Sequence, residues 1–177
     1  MNIAEHRRIM IIGNYGSGKS YLARALADVT GLPVVHLDRA FFQPGWKIPP
    51  AEEWTELHRQ FIAQERWIID GMWSHGDTLE LRCAAADLII FLDINRFVCL
   101  AGVLTRIRKP REDMLPCLQG QRGPRFLRLC RKTLTQSGKI RRDIMTLSGQ
   151  HPQARFLVIR SRRETMRLLN QWRTQFS

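Results

Sequence analysis

Residues 13–20 are GNYGSGKS, and few eight-residue stretches restrict a fold so tightly. Gly13, Gly18, Lys19 and Ser20 fill every fixed position of the pattern G-x-x-x-x-G-K-[ST], the phosphate-binding P-loop. A chain with this pattern must turn sharply from a strand into a helix while its backbone N–H groups face an anion. Glycine takes the positive-φ conformations of such a turn without steric cost. The helix that follows adds free N–H groups and the positive end of its dipole. The flanking residues meet that demand. RIMIIG (8–13) is a short β-branched run, and the helix-forming stretch to its C-terminal side ends on Gly31, a C-cap residue. The competing reading, a glycine-rich turn with no ligand, fits this strand–helix context poorly.

Four further strand candidates follow, at 33–38, 66–70, 87–93 and 155–160. Most are continuous apolar runs, the pattern of parallel strands buried on both faces. Helical stretches separate them, at 19–30, about 50–65, about 95–109, about 124–148 and 162–175. The alternation predicts an α/β fold: a P-loop NTPase three-layer sandwich with a five-stranded parallel sheet and helices on both faces. At 177 residues the chain is expected to form one domain over 1–177. Ligands of such sheets sit at the carboxyl ends of the strands. Asp38, Asp70, Asp93 and Arg160 are the residues there.

Phosphoryl transfer needs a cationic clamp, Mg²⁺ and a group that orients or deprotonates the acceptor. Gly13, Tyr15, Gly16, Ser17, Gly18, Lys19, Ser20 and Tyr21 would cradle ATP, with Lys19 at the β- and γ-phosphates. The Ser20 hydroxyl and Asp70, which ends the apolar run WIID, suit Mg²⁺, and Gly71 allows close approach behind Asp70. Asp38 is the candidate base for an acceptor hydroxyl, or else a second Mg²⁺ partner or a turn cap. Asp93 reads as a helix cap. Phe41, Phe42 and Trp46 follow Asp38 in an aromatic, Pro- and Gly-containing loop (39–50); they either wall a substrate pocket or form a satellite core. Trp54, Leu57 and Phe61 recur at helical spacing, as packing residues do. His36 and His58 read as structural, and His75 has no assigned role. A second long loop, 109–126, contains three prolines and several arginines. Loops of this length in compact domains are usually lids or binding loops.

Charge is unevenly spread. Residues 1–105 hold 10 Lys+Arg against 12 Asp+Glu, a net of −2; residues 106–177 hold 18 against 4, a net of +14. Such a half suits a triphosphate, a nucleic acid or a solvated basic face. No helix-turn-helix or RNA-binding aromatic motif accompanies it, so weak, sequence-independent nucleic-acid binding is the expectation. Cys83, Cys99, Cys117 and Cys130 form no C-x-x-C pair and read as reduced thiols in a cytoplasmic protein. The first strand begins by residue 8, which leaves no room for a signal peptide before it, and no apolar run is long enough to span a bilayer.

The order of P-loop, HLDRAFFQPGW (36–46), WIIDG (67–71), LRCAAADLIIFLD (81–93), arginine-rich loop and VIRSRRE (158–164) resembles the bacterial DNA topology modulation (FlaR-like) proteins. These sit among the adenylate-kinase-related P-loop kinases. The resemblance covers nearly the whole chain. It implies an ATP- and Mg²⁺-binding kinase with a substrate-side insert near 39–65 and an arginine lid near 106–125. It also implies triphosphate contacts from Arg106, Arg108 and Arg111, with Arg106 and Arg111 acting in catalysis. Adenylate kinases follow the third-strand Asp-Gly with Phe-Pro-Arg, where this chain has DGMWSHGD (70–77), which argues against AMP as acceptor. Gly102 occupies a position where the family often carries arginine, and the lid lacks the family's Gly-Cys-x-Glu. The name of the family offers the alternative of a nucleic-acid-associated regulator that uses ATP as a switch. An NTPase with water as acceptor is the third reading.

Overall fold

The computed structural model describes residues 1–41, 47–72, 78–105 and 123–176. Five parallel strands, β1 (Arg8–Gly13), β2 (Val34–His36), β3 (Trp67–Asp70), β4 (Leu88–Leu92) and β5 (Arg155–Ile159), form one sheet in the order β2-β3-β1-β4-β5. The helices are α1 (Lys19–Thr30), α2 (Leu37–Phe41), α3 (Ala51–Ile62), α4 (Thr78–Ala85), α5 (Arg96–Thr105), α6 (Pro124–Thr135), α7 (Ser137–Gln150) and α8 (Arg162–Arg173).

Because side chains alternate along a strand, the apolar runs feed two cores. Ile9 and Ile11 of β1 face one side, with Leu22 and Leu26 of α1 and Leu169 and Trp172 of α8. Met10 and Ile12 face the other, with Trp54 of α3, Cys83 of α4 and Ile140 and Ile144 of α7. Both faces of the sheet are therefore covered, as the continuous apolar strands require, and the three-layer arrangement follows. No described helix is long and apolar enough to cross a membrane.

The structure differs from the sequence expectation at four places. β2 ends at His36, so Asp38 lies in the first turn of α2 rather than at a strand end. Leu37 is fully buried, and a carboxylate in a helix's first turn meets the positive end of its dipole. Residues 78–85 form α4, a short helix no periodicity announced, held by buried Leu79 and Cys83. The long helix expected over 124–148 is two helices that break at Gln136. There the Asn14 side chain donates to the Thr133 carbonyl at 2.8 Å, beside the Ser137-Gly138 pair. Insertion of a side chain into a helical ladder and Ser/Gly pairs are both recognised causes of kinks. Finally, Asp93 does not cap α5. Asn95 does, its side-chain oxygen accepting from Phe97 N–H at 2.9 Å, while Asp93 faces Arg141 at 3.5 Å.

Candidate active site

In a parallel sheet all carboxyl ends share one edge, and there β1 runs into the P-loop. Gly16 has φ of 74°, and a Cβ on it would lie 2.1 Å from the Cys99 carbonyl oxygen. Glycine is thus required both for the turn and for the direct packing of α5 against the loop. The same packing explains Gly102, whose Cβ would lie 2.5 Å from the Gly16 carbonyl oxygen and 2.6 Å from an Arg162 guanidinium nitrogen. No larger residue fits at 102 without displacing the loop.

Lys19 reaches back over the loop, its Nζ donating to the Asn14 carbonyl at 3.0 Å. Ser17 N–H closes the turn onto that same carbonyl at 3.2 Å. The Ser17 hydroxyl is buried without a hydrogen-bond partner, and the N–H groups of Gly16, Gly18 and Ser20 find no acceptor among the described residues. A buried orphan hydroxyl and a set of open donors at a helix N-terminus is an arrangement an anion satisfies. Ser20 is the second residue of α1. Tyr21, the third residue of α1, is 48% exposed, and its hydroxyl lies 3.4 Å from Met166 Sδ of α8.

β3 delivers Asp70 beside the loop. Asp70 is in register with Ile11 of β1 on one side and with His36 of β2 on the other. Its Oδ2 accepts from His36 Nδ1 at 2.6 Å, with both side chains largely enclosed. The pairing gives His36 a structural partner that the sequence did not specify. Strand register decides which side chains face each other at a sheet edge, and one sequence does not print it. Behind Asp70, Gly71 has φ of 139°, and its missing Cβ leaves room for the Leu37 side chain, so the close approach there is by a side chain.

Arg82 of α4 holds this corner from below. It is fully buried, with Nη1 donating to the Gly71 carbonyl at 2.9 Å and Nε to the Thr78 carbonyl at 3.1 Å. Burial pulls its pKa down to about 10, with Cys83 and Asp70 pulling the other way, so the guanidinium stays charged at neutral pH. The sequence reading passed over Arg82 because an arginine in LRCAAAD looks like any exposed helical cation. It also passed over Arg162, whose Nη2 lies 3.4 Å from the Gly16 carbonyl and 3.3 Å from that of Val98, on the outer side of the loop.

Asp38 sits close enough to the loop to act on it electrostatically. Burial first, and then the Asp38 charge, raise the Tyr15 phenol above its usual pKa. Phe41, the first of the aromatics behind Asp38, is buried at 3% exposure and packs edge-on against Trp54 at 4.8 Å. Its role is core packing rather than a pocket wall. His58 is structural as expected: it is fully buried and its Nδ1 donates to the Trp54 carbonyl at 2.9 Å. Burial, with nearby Arg82, lowers its pKa to about 4. Phe42, Trp46, His75, Arg106, Arg108 and Arg111 lie outside the described residues.

No protein-family model matches the sequence, and no curated protein does. Solved structures do resemble the fold. Shikimate kinase from Acinetobacter baumannii, solved in complex with shikimate, superposes with a TM-score of 0.60 at 14% identity, over 96% of this chain and 92% of that one. Shikimate kinase from Bacteroides thetaiotaomicron gives 0.53 at 15% identity, over 96% and 97%. A gluconokinase from Sinorhizobium meliloti 1021 gives 0.51 at 14%, over 99% and 93%. These structures share the α/β P-loop NTPase fold described above. The FlaR-like resemblance has no counterpart among these matches.

Proposed function

We propose that this chain is a Mg²⁺-dependent phosphotransferase that moves the γ-phosphoryl of ATP to a hydroxyl of a small molecule. The observation that carries the reading is the convergence of the P-loop with two carboxylates, Asp70 and Asp38, at one edge of the sheet. The P-loop donors and the orphan Ser17 hydroxyl fit a polyphosphate. Ser20 and Asp70 are the residues to hold Mg²⁺, with His36 fixing the Asp70 carboxylate. Mg²⁺ keeps several waters and binds through one or two protein oxygens and the phosphates, so two such residues suffice. When bound, the ion neutralises charge on the transferring phosphoryl group.

The residues of the chain divide the remaining work. The P-loop N–H groups and Lys19 hold and orient the polyphosphate. Asp38 orients the acceptor hydroxyl and takes its proton as it attacks. Arg106, Arg108 and Arg111 are proposed to close on the triphosphate, within a single domain of a cytoplasmic enzyme. Water as acceptor, giving a simple ATPase, is what remains if no metabolite stimulates turnover.

Calorimetry with ATP·Mg²⁺, followed by a metabolite panel scored for ATP consumption, tests the reading. ATP is expected to bind, at least one hydroxyl compound to stimulate turnover, and Lys19→Ala to abolish it. Folded protein that binds neither ATP nor GTP would sink the proposal.

A further inference from the structure

One P-loop residue does something the motif does not ask of it. Asn14 occupies a variable position, yet it is 4% exposed and its side chain is fully engaged. Its Oδ1 accepts from the Tyr15 N–H at 2.8 Å, within the loop. Its Nδ2 reaches out of the loop and donates to the Thr133 carbonyl and to Ser137 Oγ, both at 2.8 Å. Thr133 is fully buried near the end of α6, and Ser137 opens α7. Ser137 Oγ donates in turn to the Thr133 carbonyl at 3.2 Å, so the three groups close a ring of hydrogen bonds over the helix break. The Asn14 carbonyl meanwhile carries both Ser17 N–H and Lys19 Nζ. A single residue therefore connects the loop's turn, the Lys19 ammonium and the α6–α7 break.

We propose that Asn14 is a positioning residue that latches the nucleotide loop to the α6–α7 break, so that filling the loop and setting α6 are one event. The consequence rests on the nucleotide-binding reading above. A polyphosphate drawn to Lys19 competes with the Asn14 carbonyl for that ammonium. The change is passed through the Asn14 amide to the Thr133 carbonyl and Ser137, and so to the α6–α7 break. The amide is suited to this because it accepts on the loop side and donates twice on the helix side. A carboxylate keeps the first function and loses the second, since it has no proton for the Thr133 carbonyl.

Asn14→Asp therefore separates the latch from the loop turn. The readout is amide hydrogen exchange over 133–140, with and without a non-hydrolysable ATP analogue and Mg²⁺, together with calorimetric affinity for the analogue. In the native protein the analogue is expected to slow exchange there about tenfold, equivalent to ~1.4 kcal/mol. In Asn14→Asp the added charge should weaken the analogue, and at saturating analogue that protection should fall to twofold or less. Ser137→Ala removes one latch bond at a distance from the loop and should lose part of the response, and it decides the matter if Asn14→Asp fails to fold. Adding Ser137→Ala to Asn14→Asp should cost no further protection. A full native response in either variant overturns the latch, as does analogue binding by the native protein with no protection at 133–140. Absence of any binding by the native protein instead overturns the nucleotide reading, and the latch with it.

Discussion

Replacing Arg82 by methionine and by alanine should pull stability and activity apart. The side chain is fully buried and donates to the Gly71 and Thr78 carbonyls. Methionine is apolar and of similar length. It removes a buried charge whose pKa has fallen from 12.5 to about 10, a penalty of about 3 kcal/mol at 1.36 kcal/mol per unit. Against that, two carbonyls lose a donor, at about 1–3 kcal/mol each where no other partner is available. The two effects partly offset, so Arg82→Met should destabilise by at most about 3 kcal/mol. Alanine gives the same exchange of charge for orphan carbonyls but also leaves a cavity, which for large-to-small core changes costs about 2–5 kcal/mol. At roughly 2–4 °C per kcal/mol for a chain of this size, Arg82→Ala should melt about 4–20 °C below Arg82→Met. Activity should not follow that order. Both variants release the Gly71 carbonyl and with it the Asp70 corner, so both should slow acceptor-stimulated ATP turnover by an order of magnitude or more, as displaced catalytic groups do. Thermal unfolding by circular dichroism and steady-state turnover on the same preparations provide the check. Native turnover in a folded Arg82→Met protein would refute the positioning argument and leave Arg82 as a space-filling residue. Equal melting of the two variants would refute the cavity term.

Asp38→Asn keeps size and polarity while removing charge; it should cut kcat by about 10²–10⁴-fold, some 3–5 kcal/mol of barrier, with ATP·Mg²⁺ affinity little changed. A collapse of ATP·Mg²⁺ affinity would instead move Asp38 to the metal. The chain has two tyrosines, so ultraviolet titration of the same variant should show the Tyr15 phenol ionising at lower pH than in the native protein, though still raised by burial. His58 is held neutral, with a folded pKa of about 4 against 6.5 unfolded. Its contribution is fully present above pH 6.5 and is lost as pH falls from 6.5 towards 4, by at most about 3 kcal/mol. Urea unfolding midpoints measured across that window should fall more steeply for the native protein than for His58→Gln, and parallel curves would contradict the assignment. Binding of duplex DNA, measured by fluorescence anisotropy, should be weak, indifferent to sequence and steeply reduced by salt, because phosphate contacts alone behave so. Tight, sequence-selective binding at raised salt would favour the regulator reading.

Much of this protein is local in its causes, and that part was legible in the chain. GNYGSGKS demands a strand before it and a helix after it, and α1 begins on Lys19 and ends on Gly31 as the residue types require. The strands are continuous apolar runs, and such runs are buried on both faces whatever their order. The Asp70 carboxylate falls at a strand end because the WIID run stops there. What the tertiary structure decided are pairings between segments distant in sequence. His36 meets Asp70 only because β2 lies beside β3 in that register, 34 residues away. Arg82 belongs to the site because α4 tucks its guanidinium under Gly71, and nothing in its neighbours' hydropathy separates it from a surface cation. Gly102 is small because α5 lies directly on Gly16. Asn14 bonds into the α6–α7 break, 119 residues away, which neither segment's own pattern announces. Periodicity reports which face of an element is buried; it carries no record of what that face is buried against. Hydrogen bonds between elements are set by that second fact, and they are what place the groups around the P-loop.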